Sequence, residues 1–176
     1  MRLFTLLLLV AFNVSAEPYK RSLYPHWSDL DRDCQNSRDE TLLDESLNPV
    51  KYKTDRGCKV ASGWWYGYYS DKFYDNPRQL DIDHVVPLKE AHLSGADEWS
   101  RELRKQFAND PENLIAVQAS ENRRKGAKDP AHWLPSNESY HCEYIARWLA
   151  VKLKYRLEID PDEQQTINKV VSTRCF

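Results

Sequence analysis

The chain has 176 residues, a formal net charge of −2 at pH 7 and four cysteines. This length suits a single domain with one sizeable core. The slightly acidic balance argues against a protein that coats nucleic acid through bulk positive charge, although an enzyme that contacts a few phosphates stays compatible with it.

The N-terminal residues have the pattern of a secretory signal peptide. Residues 1–2 supply a positive charge, residues 3–12 are apolar apart from Thr5, and residues 14–16 are small enough for cleavage after Ala16. The apolar run is short for a membrane span, which disfavours the alternative of an uncleaved anchor. We therefore expect a secreted or periplasmic protein that has no membrane attachment after cleavage and is a monomer.

Residues 17–86 divide into a polar part and a β-prone part. Residues 17–56 are predicted to form a polar, acid-rich wrap with a short helix within 37–47. Residues 57–69 are aromatic and β-prone, and residues 79–86 are predicted to form a strand. The aromatics of residues 63–69 could stack on unpaired bases, but core and strand pairing is the favoured alternative.

Helical patterns follow that strand. Pro87 and Gly95 are predicted to bound a short helix, and Asp97 to cap a second one whose buried stripe is Trp99, Leu103 and Phe107. Residues 114–117 are strand-like, and residues 120–125 form a predicted helix that Gly126 ends. Two further helices are predicted over residues 143–157 and 161–172.

The cysteines predict two disulfides. There is no Cys-x-x-Cys pair, which disfavours a zinc ribbon or a thioredoxin-like motif, and an even number in an exported chain indicates disulfide bonds. Three pairings are open to the four residues. We favour the pairing in which each bond closes a local loop and stabilises the fold by about 3–4 kcal/mol, namely Cys34–Cys58 and Cys142–Cys175.

The stretch LDIDHVVPLKEAH, residues 80–92, interrupts an apolar strand with polar residues. Asp83 and His84 lie shortly before Pro87, near the predicted end of the strand. A histidine beside a carboxylate near a strand end is typical of a functional site. The alternative is a partly buried imidazole beside solvated carboxylates. Alternation sends Asp83 and His84 to opposite faces, so both can reach one substrate only if the strand twists, bulges or ends there, as the proline suggests.

A second polar cluster is SENRRKG, residues 120–126. On a helix, Asn122 and Lys125 face the same way. An asparagine oxygen is a hard metal ligand and a lysine suits phosphate. The alternative is a surface helix whose basic end is favourable to its dipole.

Three segments together resemble a known nuclease family: LDIDHVVPLKEAHLSGADEW, FANDPENLIAV and SENRRKGAKDPAHWLP. They are similar to the HNH, or ββα-metal, endonuclease superfamily, and more closely to the nuclease domain of GmrSD-type restriction enzymes and its small secreted relatives. The resemblance runs from residue 58 to the C-terminus. It implies an α+β fold with a ββα-metal core, a small β-sheet, surrounding helices and two disulfides, with the nuclease domain over residues 57–176 of a single globular unit.

The resemblance also implies roles for individual residues. His84 matches the general base that activates water, and Asn113 matches the asparagine that holds the histidine loop. Asp83 and Asn122 match the metal ligands, with Asn122 where many relatives have a histidine. Two oxygen ligands and no thiolate favour Mg²⁺, with Mn²⁺ as the alternative. Phosphate contacts are expected from three basic residues, namely Arg123, Arg124 and Lys125.

These features predict a secreted, metal-dependent endonuclease that hydrolyses phosphodiester bonds of DNA, with RNA as the alternative substrate, and with low sequence specificity. The length leaves no room for a separate recognition domain. The competing hypothesis is a catalytically inactive, disulfide-stapled module that binds nucleic acid, and the intact set of Asp83, His84 and Asn122 argues against it. Four further basic residues could line a groove or simply form a solvated helix face: Arg147, Lys152, Lys154 and Arg156.

Overall fold

The structure, a computed structural model, describes residues 17–175 and combines short strands with longer helices. The predicted signal peptide, residues 1–16, lies outside these described residues. The strands are β1 (Lys51–Tyr52), β2 (Val60–Ser62), β3 (Trp65–Gly67), β4 (Lys72–Tyr74), β5 (Leu80–His84) and β6 (Leu114–Gln118). The α-helices are α1 (Ser37–Asp44), α2 (Leu88–Leu93), α3 (Arg101–Ala108), α4 (Ala119–Lys125), α5 (His141–Tyr155) and α6 (Pro161–Arg174). No helix within residues 17–175 is both long and apolar enough to cross a membrane.

The strands pair in antiparallel twos, and the pair β5–β6 is central to the fold. Leu80 lies opposite Gln118 and His84 lies opposite Leu114, with a regular register between them. Helix α4 follows β6 without a loop and ends where Gly126 adopts a positive φ of 59°, a conformation that glycine adopts without a steric penalty. The predicted strands and the predicted helix of this region are thus confirmed, as is a mixed fold of helices and small antiparallel sheets.

Both faces of the β5–β6 pair are buried, but against different parts of the core. Leu80 and Ile82 pack into a smaller cluster with Leu42 of α1. Ile115 and Val117, on the other face, pack into a larger cluster that holds Tyr69 and the aromatic residues of α5. A strand covered on both faces shows a continuous apolar run rather than alternation, which accounts for the sequence of β6.

The segment between β5 and β6 carries α2 and α3. Gly95 has a φ of 115° after α2, in agreement with the predicted end of that helix. The predicted cap of α3 at Asp97 is wrong, because the extended backbone at Ser100 lets its hydroxyl accept a hydrogen bond from the Leu103 amide at 3.2 Å. Asp97 lies instead in a 3₁₀ turn (Ala96–Glu98) that precedes the helix.

The aromatic tract of residues 63–69 contributes mainly to the core, which was the favoured alternative. Trp65 is fully buried and its indole nitrogen donates to the Leu42 carbonyl at 2.7 Å. Tyr69 is also fully buried. Trp64 is exposed and stacks on Phe73 of the neighbouring strand, with ring centroids 5.7 Å apart.

Two disulfides are present, one in each terminal third of the chain, and they have the pairing that the sequence analysis favoured. Cys34 bonds to Cys58 and joins the segment before α1 to the loop before β2. Cys142 bonds to Cys175 and joins the first turn of α5 to the end of α6. The described residues contain no free cysteine. Each disulfide constrains a loop of the unfolded chain and thereby stabilises the folded state.

Glu45 makes the stability of the fold depend on pH. Burial raises the pKa of its carboxyl from the ordinary value of 4.5 to about 7, while a carboxylate oxygen accepts the Ala116 amide of β6 at 2.8 Å. The folded state therefore holds a proton that the unfolded state releases between these two pH values. The contribution of Glu45 to stability is fully present below pH 4.5 and is lost as the pH rises through 7.

Replacing Glu45 by glutamine should weaken this pH dependence, because the amide keeps an acceptor for Ala116 without carrying a charge. We expect E45Q to be more stable than the unmodified protein at pH 8 by up to about 3 kcal/mol, with the difference shrinking at lower pH. Urea unfolding at pH 4.5, 6 and 8 measures it. The matched control is E102Q, which changes an exposed carboxylate of α3 and should show no such trend; equal pH slopes for E45Q and E102Q would contradict the assignment.

Candidate active site

The predicted metal ligands and the predicted base line one small cavity. Asp83 and His84 reach it from the end of β5, and Asn122 reaches it from α4. The cavity has a volume of about 230 Å³. Its remaining lining comes from Arg21, Ile82, Pro87, Leu88, Gly126 and Ala127. Residues separated by about forty positions in the chain thus meet where the end of β5 faces α4.

Asp83 is buried and fixed through one of its two oxygens. Its Oδ2 accepts hydrogen bonds from the ammonium of Lys125 at 2.7 Å and from the hydroxyl of Tyr69 at 2.9 Å. Burial raises the pKa of Asp83, while the Lys125 and Tyr69 contacts act to lower it. Within residues 17–175 no hydrogen bond engages Oδ1, which leaves this oxygen available to a ligand in the cavity.

Lys125 lies beneath the site, not on its surface. It is fully buried, and its ammonium donates to Asp83 and, at 2.7 Å, to the backbone carbonyl of His84. Burial lowers the pKa of Lys125, while the pairing with Asp83 acts in the opposite direction. This placement contradicts the expected phosphate contact of Lys125. A side chain that is bound inside the fold positions its neighbours and does not reach into solvent.

The imidazole of His84 is held in one orientation. Its Nε2 lies 2.9 Å from the carbonyl oxygen of Ala108, which only an N–H can satisfy, so Nδ1 carries the lone pair. Trp27 stacks on the ring with centroids 5.7 Å apart and planes 30° apart. Burial lowers the pKa of His84 to about 3, so the ring is neutral near pH 7 and Nδ1 is free to accept a proton.

The end of β5 lets Asp83 and His84 share the cavity although alternation separates them. His84 is the last residue of the strand, and beyond it the ladder gives way to contacts with Asn113. The side chain of Asn113 is fully buried; its oxygen accepts the Val86 amide at 2.8 Å and its nitrogen donates to the Val86 carbonyl at 3.2 Å. Asn113 thus fixes the backbone directly after His84, which suits the role of holding the histidine loop.

Asn122 faces the cavity from the first half of α4. Its amide nitrogen donates to Oδ2 of Asp81 at 3.2 Å, which orients the side chain and leaves the amide oxygen free of protein partners among the described residues. Asp81 therefore orients Asn122. The free oxygens of Asp83 and Asn122 form a donor set of two hard ligands, which suits Mg²⁺ or Mn²⁺.

The remaining basic residues of the sequence analysis fall into two groups. Arg123 and Arg124 are exposed on α4 beside Asn122, and Arg124 also bonds to Glu121 and Ser136. Three others are engaged by the protein itself. Arg147 donates to backbone carbonyls around Asn113, Lys154 binds Asp110 and Glu112, and Lys152 is buried against Glu90 and Glu163. The second group thus supports the fold.

Four contacts of the site were not predicted from the sequence. Tyr69 binds Asp83, Trp27 covers His84, Arg21 lines the cavity, and the Ala108 carbonyl orients the imidazole. A backbone carbonyl carries no sequence signal. The aromatic tract marked Tyr69 as buried, but no pattern linked it to a carboxylate fourteen residues away.

Comparisons with known proteins find similar sequences over most of the chain. The family described as "GmrSD restriction endonucleases, C-terminal domain" matches residues 36–170. A protein from Arthroderma benhamiae, described as an uncharacterized secreted protein, is 36% identical over 157 residues, which cover 88% of this chain and 75% of that protein. No solved structure matches the chain.

The buried pair of Lys125 and Asp83 should be essential for stability. Replacing Lys125 by methionine leaves a buried carboxylate without its cation, and we expect the free energy of unfolding to fall by about 3 kcal/mol. Lys128 is exposed on the same chain segment, so K128M should change it by less than about 0.5 kcal/mol. Urea unfolding measures both.

A double variant separates loss of charge balance from loss of packing. In D83N/K125M neither charge is buried, so stability should recover part of what K125M alone loses. Equal stabilities of K125M and K128M would contradict the structural role of the pair.

Proposed function

The chain belongs to the family of the GmrSD restriction endonuclease C-terminal domain, an HNH-type nuclease family, and we propose on that premise that it is a secreted, metal-dependent endonuclease. Its substrate would be DNA, cut with low sequence specificity, and β5, β6 and α4 would form its ββα-metal core. The observation that carries the proposal is that Asp83, His84 and Asn122 line one cavity.

In this proposal His84 is the general base. Hydrolysis of a phosphodiester needs a water that loses a proton as it attacks phosphorus. The hydrogen bond from Nε2 to Ala108 leaves Nδ1 as the proton acceptor. A neutral ring whose pKa is about 3 is a weak base. An anionic phosphate beside it favours the imidazolium and raises that pKa, so the ring gains basicity when substrate is bound.

Asp83 and Asn122 would hold the cation. Their free oxygens supply a carboxylate and an amide ligand, and Lys125 and Asp81 hold these side chains in place. A divalent ion held there would stabilise negative charge on the phosphate and on the leaving oxygen. Because Lys125 neutralises Asp83, the protein offers little net negative charge to a cation. This fits Mg²⁺, which commonly completes its ligands with substrate phosphates and water.

Arg123 and Arg124 would contact the nucleic-acid backbone beside the cleaved bond. Both are exposed on α4, within two residues of Asn122. Contacts to phosphate position a nucleic acid without reading its sequence, which supports low specificity. Since the chain as a whole is slightly acidic, binding rests on few such contacts and weakens with salt.

Replacing His84 by alanine should slow cleavage strongly, because Asp83, the other described residue of the cavity that can accept a proton, is the proposed metal ligand. We expect the initial rate of plasmid nicking to fall by about a hundredfold or more. His132 is an exposed histidine remote from the cavity, so H132A is the matched control and should nick at the normal rate.

The competing function is a binding module without catalysis. If the unmodified protein and H84A bind DNA equally and neither nicks it with Mg²⁺ or Mn²⁺, the binding module is the correct description. If H84A nicks as fast as H132A, His84 is not the base.

Asn122 should control how much metal the reaction needs. In N122A the cation loses one of two protein ligands, so the metal concentration for half-maximal nicking should rise by about tenfold or more. A titration of nicking rate with MnCl₂ measures this shift, and Q118A, which changes an amide just before the same helix, is the control. An unchanged metal titration for N122A would remove Asn122 from the ligand set.

A further inference from the structure

Arg21 belongs to the active-site cavity although it lies far from the other site residues in the sequence. It lines the cavity together with Asp83, His84 and Asn122. Residues 36–170 match the nuclease family, so Arg21 comes from the N-terminal segment that precedes the match. It begins a 3₁₀ turn, Arg21–Leu23.

Contacts on the N-terminal side of Arg21 fix the backbone there. The carbonyl of Glu17 accepts a hydrogen bond from Nε2 of His92 at 2.6 Å. The carboxylate of Glu17 lies 3.4 Å from the guanidinium of Arg104. Both partners belong to the α2–α3 region, so the start of the segment is tied to the same part of the fold that orients His84.

Contacts on the C-terminal side complete the anchoring. Tyr24 is fully buried, and its hydroxyl lies 3.1 Å from Nδ1 of His92. Asn109 donates to the Pro25 carbonyl at 2.7 Å and accepts from the Ser28 amide at 2.8 Å. With both flanks held, the backbone at Arg21 has a defined position at the cavity while its side chain stays exposed.

The charge of Arg21 is not balanced by a carboxylate of the described residues. Of the described residues that line the cavity, Arg21 is the only cationic one, and it forms no salt bridge with a carboxylate of residues 17–175. The nearby Asp83 is already paired with Lys125. Other arginines, such as Arg104 and Arg147, are bound to protein groups. A cavity with one unpaired guanidinium attracts an anion.

We propose that Arg21 binds the non-bridging oxygens of the phosphodiester that is cleaved. A guanidinium offers parallel N–H donors that match two phosphate oxygens. Such a donor stabilises the extra negative charge that develops at phosphorus as water attacks. This inference rests on the proposed nuclease function. It makes the N-terminal segment part of the active site and predicts that cleavage needs a residue from outside the family match.

The kinetic test compares R21A with K20A, which removes the same charge from the neighbouring residue of the same segment without touching the cavity. We expect kcat/KM for a DNA duplex to fall by about ten- to a hundredfold in R21A and to change by less than about twofold in K20A. Thermal unfolding should be similar for both, because the Arg21 side chain is exposed and forms no salt bridge with a described carboxylate. R21K should recover only part of the rate, since an ammonium cannot bind two oxygens in parallel.

Chemical rescue separates a phosphate contact from a structural effect. Guanidinium chloride at millimolar, non-denaturing concentration should raise the rate of R21A severalfold and leave H84A inactive. Equal rates for R21A and K20A, or a loss in R21A that accompanies unfolding and resists rescue, would overturn the proposal.

Failure of the proposed function has a different signature. If the unmodified protein cuts no nucleic acid, the phosphate contact is judged by binding of a fluorescent DNA duplex in EDTA. Weaker binding by R21A than by K20A then supports the contact without catalysis. Equal binding overturns it.

Discussion

A buried ion pair holds the site together. The ammonium of Lys125 bonds at once to the carboxylate of Asp83 and to the carbonyl of His84, so one side chain joins the last turn of α4 to the end of β5. Removing two charges from water is costly, and a buried pair is favourable only where its geometry is good and its remaining hydrogen bonds are made. Tyr69 meets that condition by donating to the same carboxylate oxygen. The pair therefore specifies one alignment of strand and helix.

Other contacts depend on that alignment. The carbonyl of Ala108, at the end of α3, reaches His84 only because the residues between β5 and β6 fold back over the strand end, where Asn113 holds the backbone of Val86. Each polar group there is bound by protein on one side and open to the cavity on the other. Asp83 keeps one oxygen, His84 keeps Nδ1 and Asn122 keeps its amide oxygen. Rigid support on one side leaves these three atoms free in fixed positions, as the preorganised site of the proposed function requires.

Much of this architecture could be predicted from local patterns. The strands around Ile82 and Ile115, the short helix with Asn122 and the two disulfides follow from periodicity, turn residues and loop length. The role of Lys125 could not be predicted in this way. A lysine at the basic end of a short helix has the pattern of a solvated residue. Its burial is decided by Asp83, a partner 42 residues away, and only the folded chain brings the two together.

The N-terminal segment that precedes the family match is a second feature that local sequence patterns could not fully predict. Its polar composition predicts a covering that wraps around the core, because residues 17–56 contain nine carboxylates. Yet Tyr24 is fully buried and Trp27 stacks on the imidazole of His84. A few aromatic residues in a polar stretch are enough to dock it, since each buries a large apolar area. Once docked, the segment excludes water from one face of His84 and brings Arg21 to the cavity. The composition of such a segment predicts that most of its side chains are polar and exposed. The contacts of the segment with the site depend on the few side chains that differ from this, such as Tyr24 and Trp27.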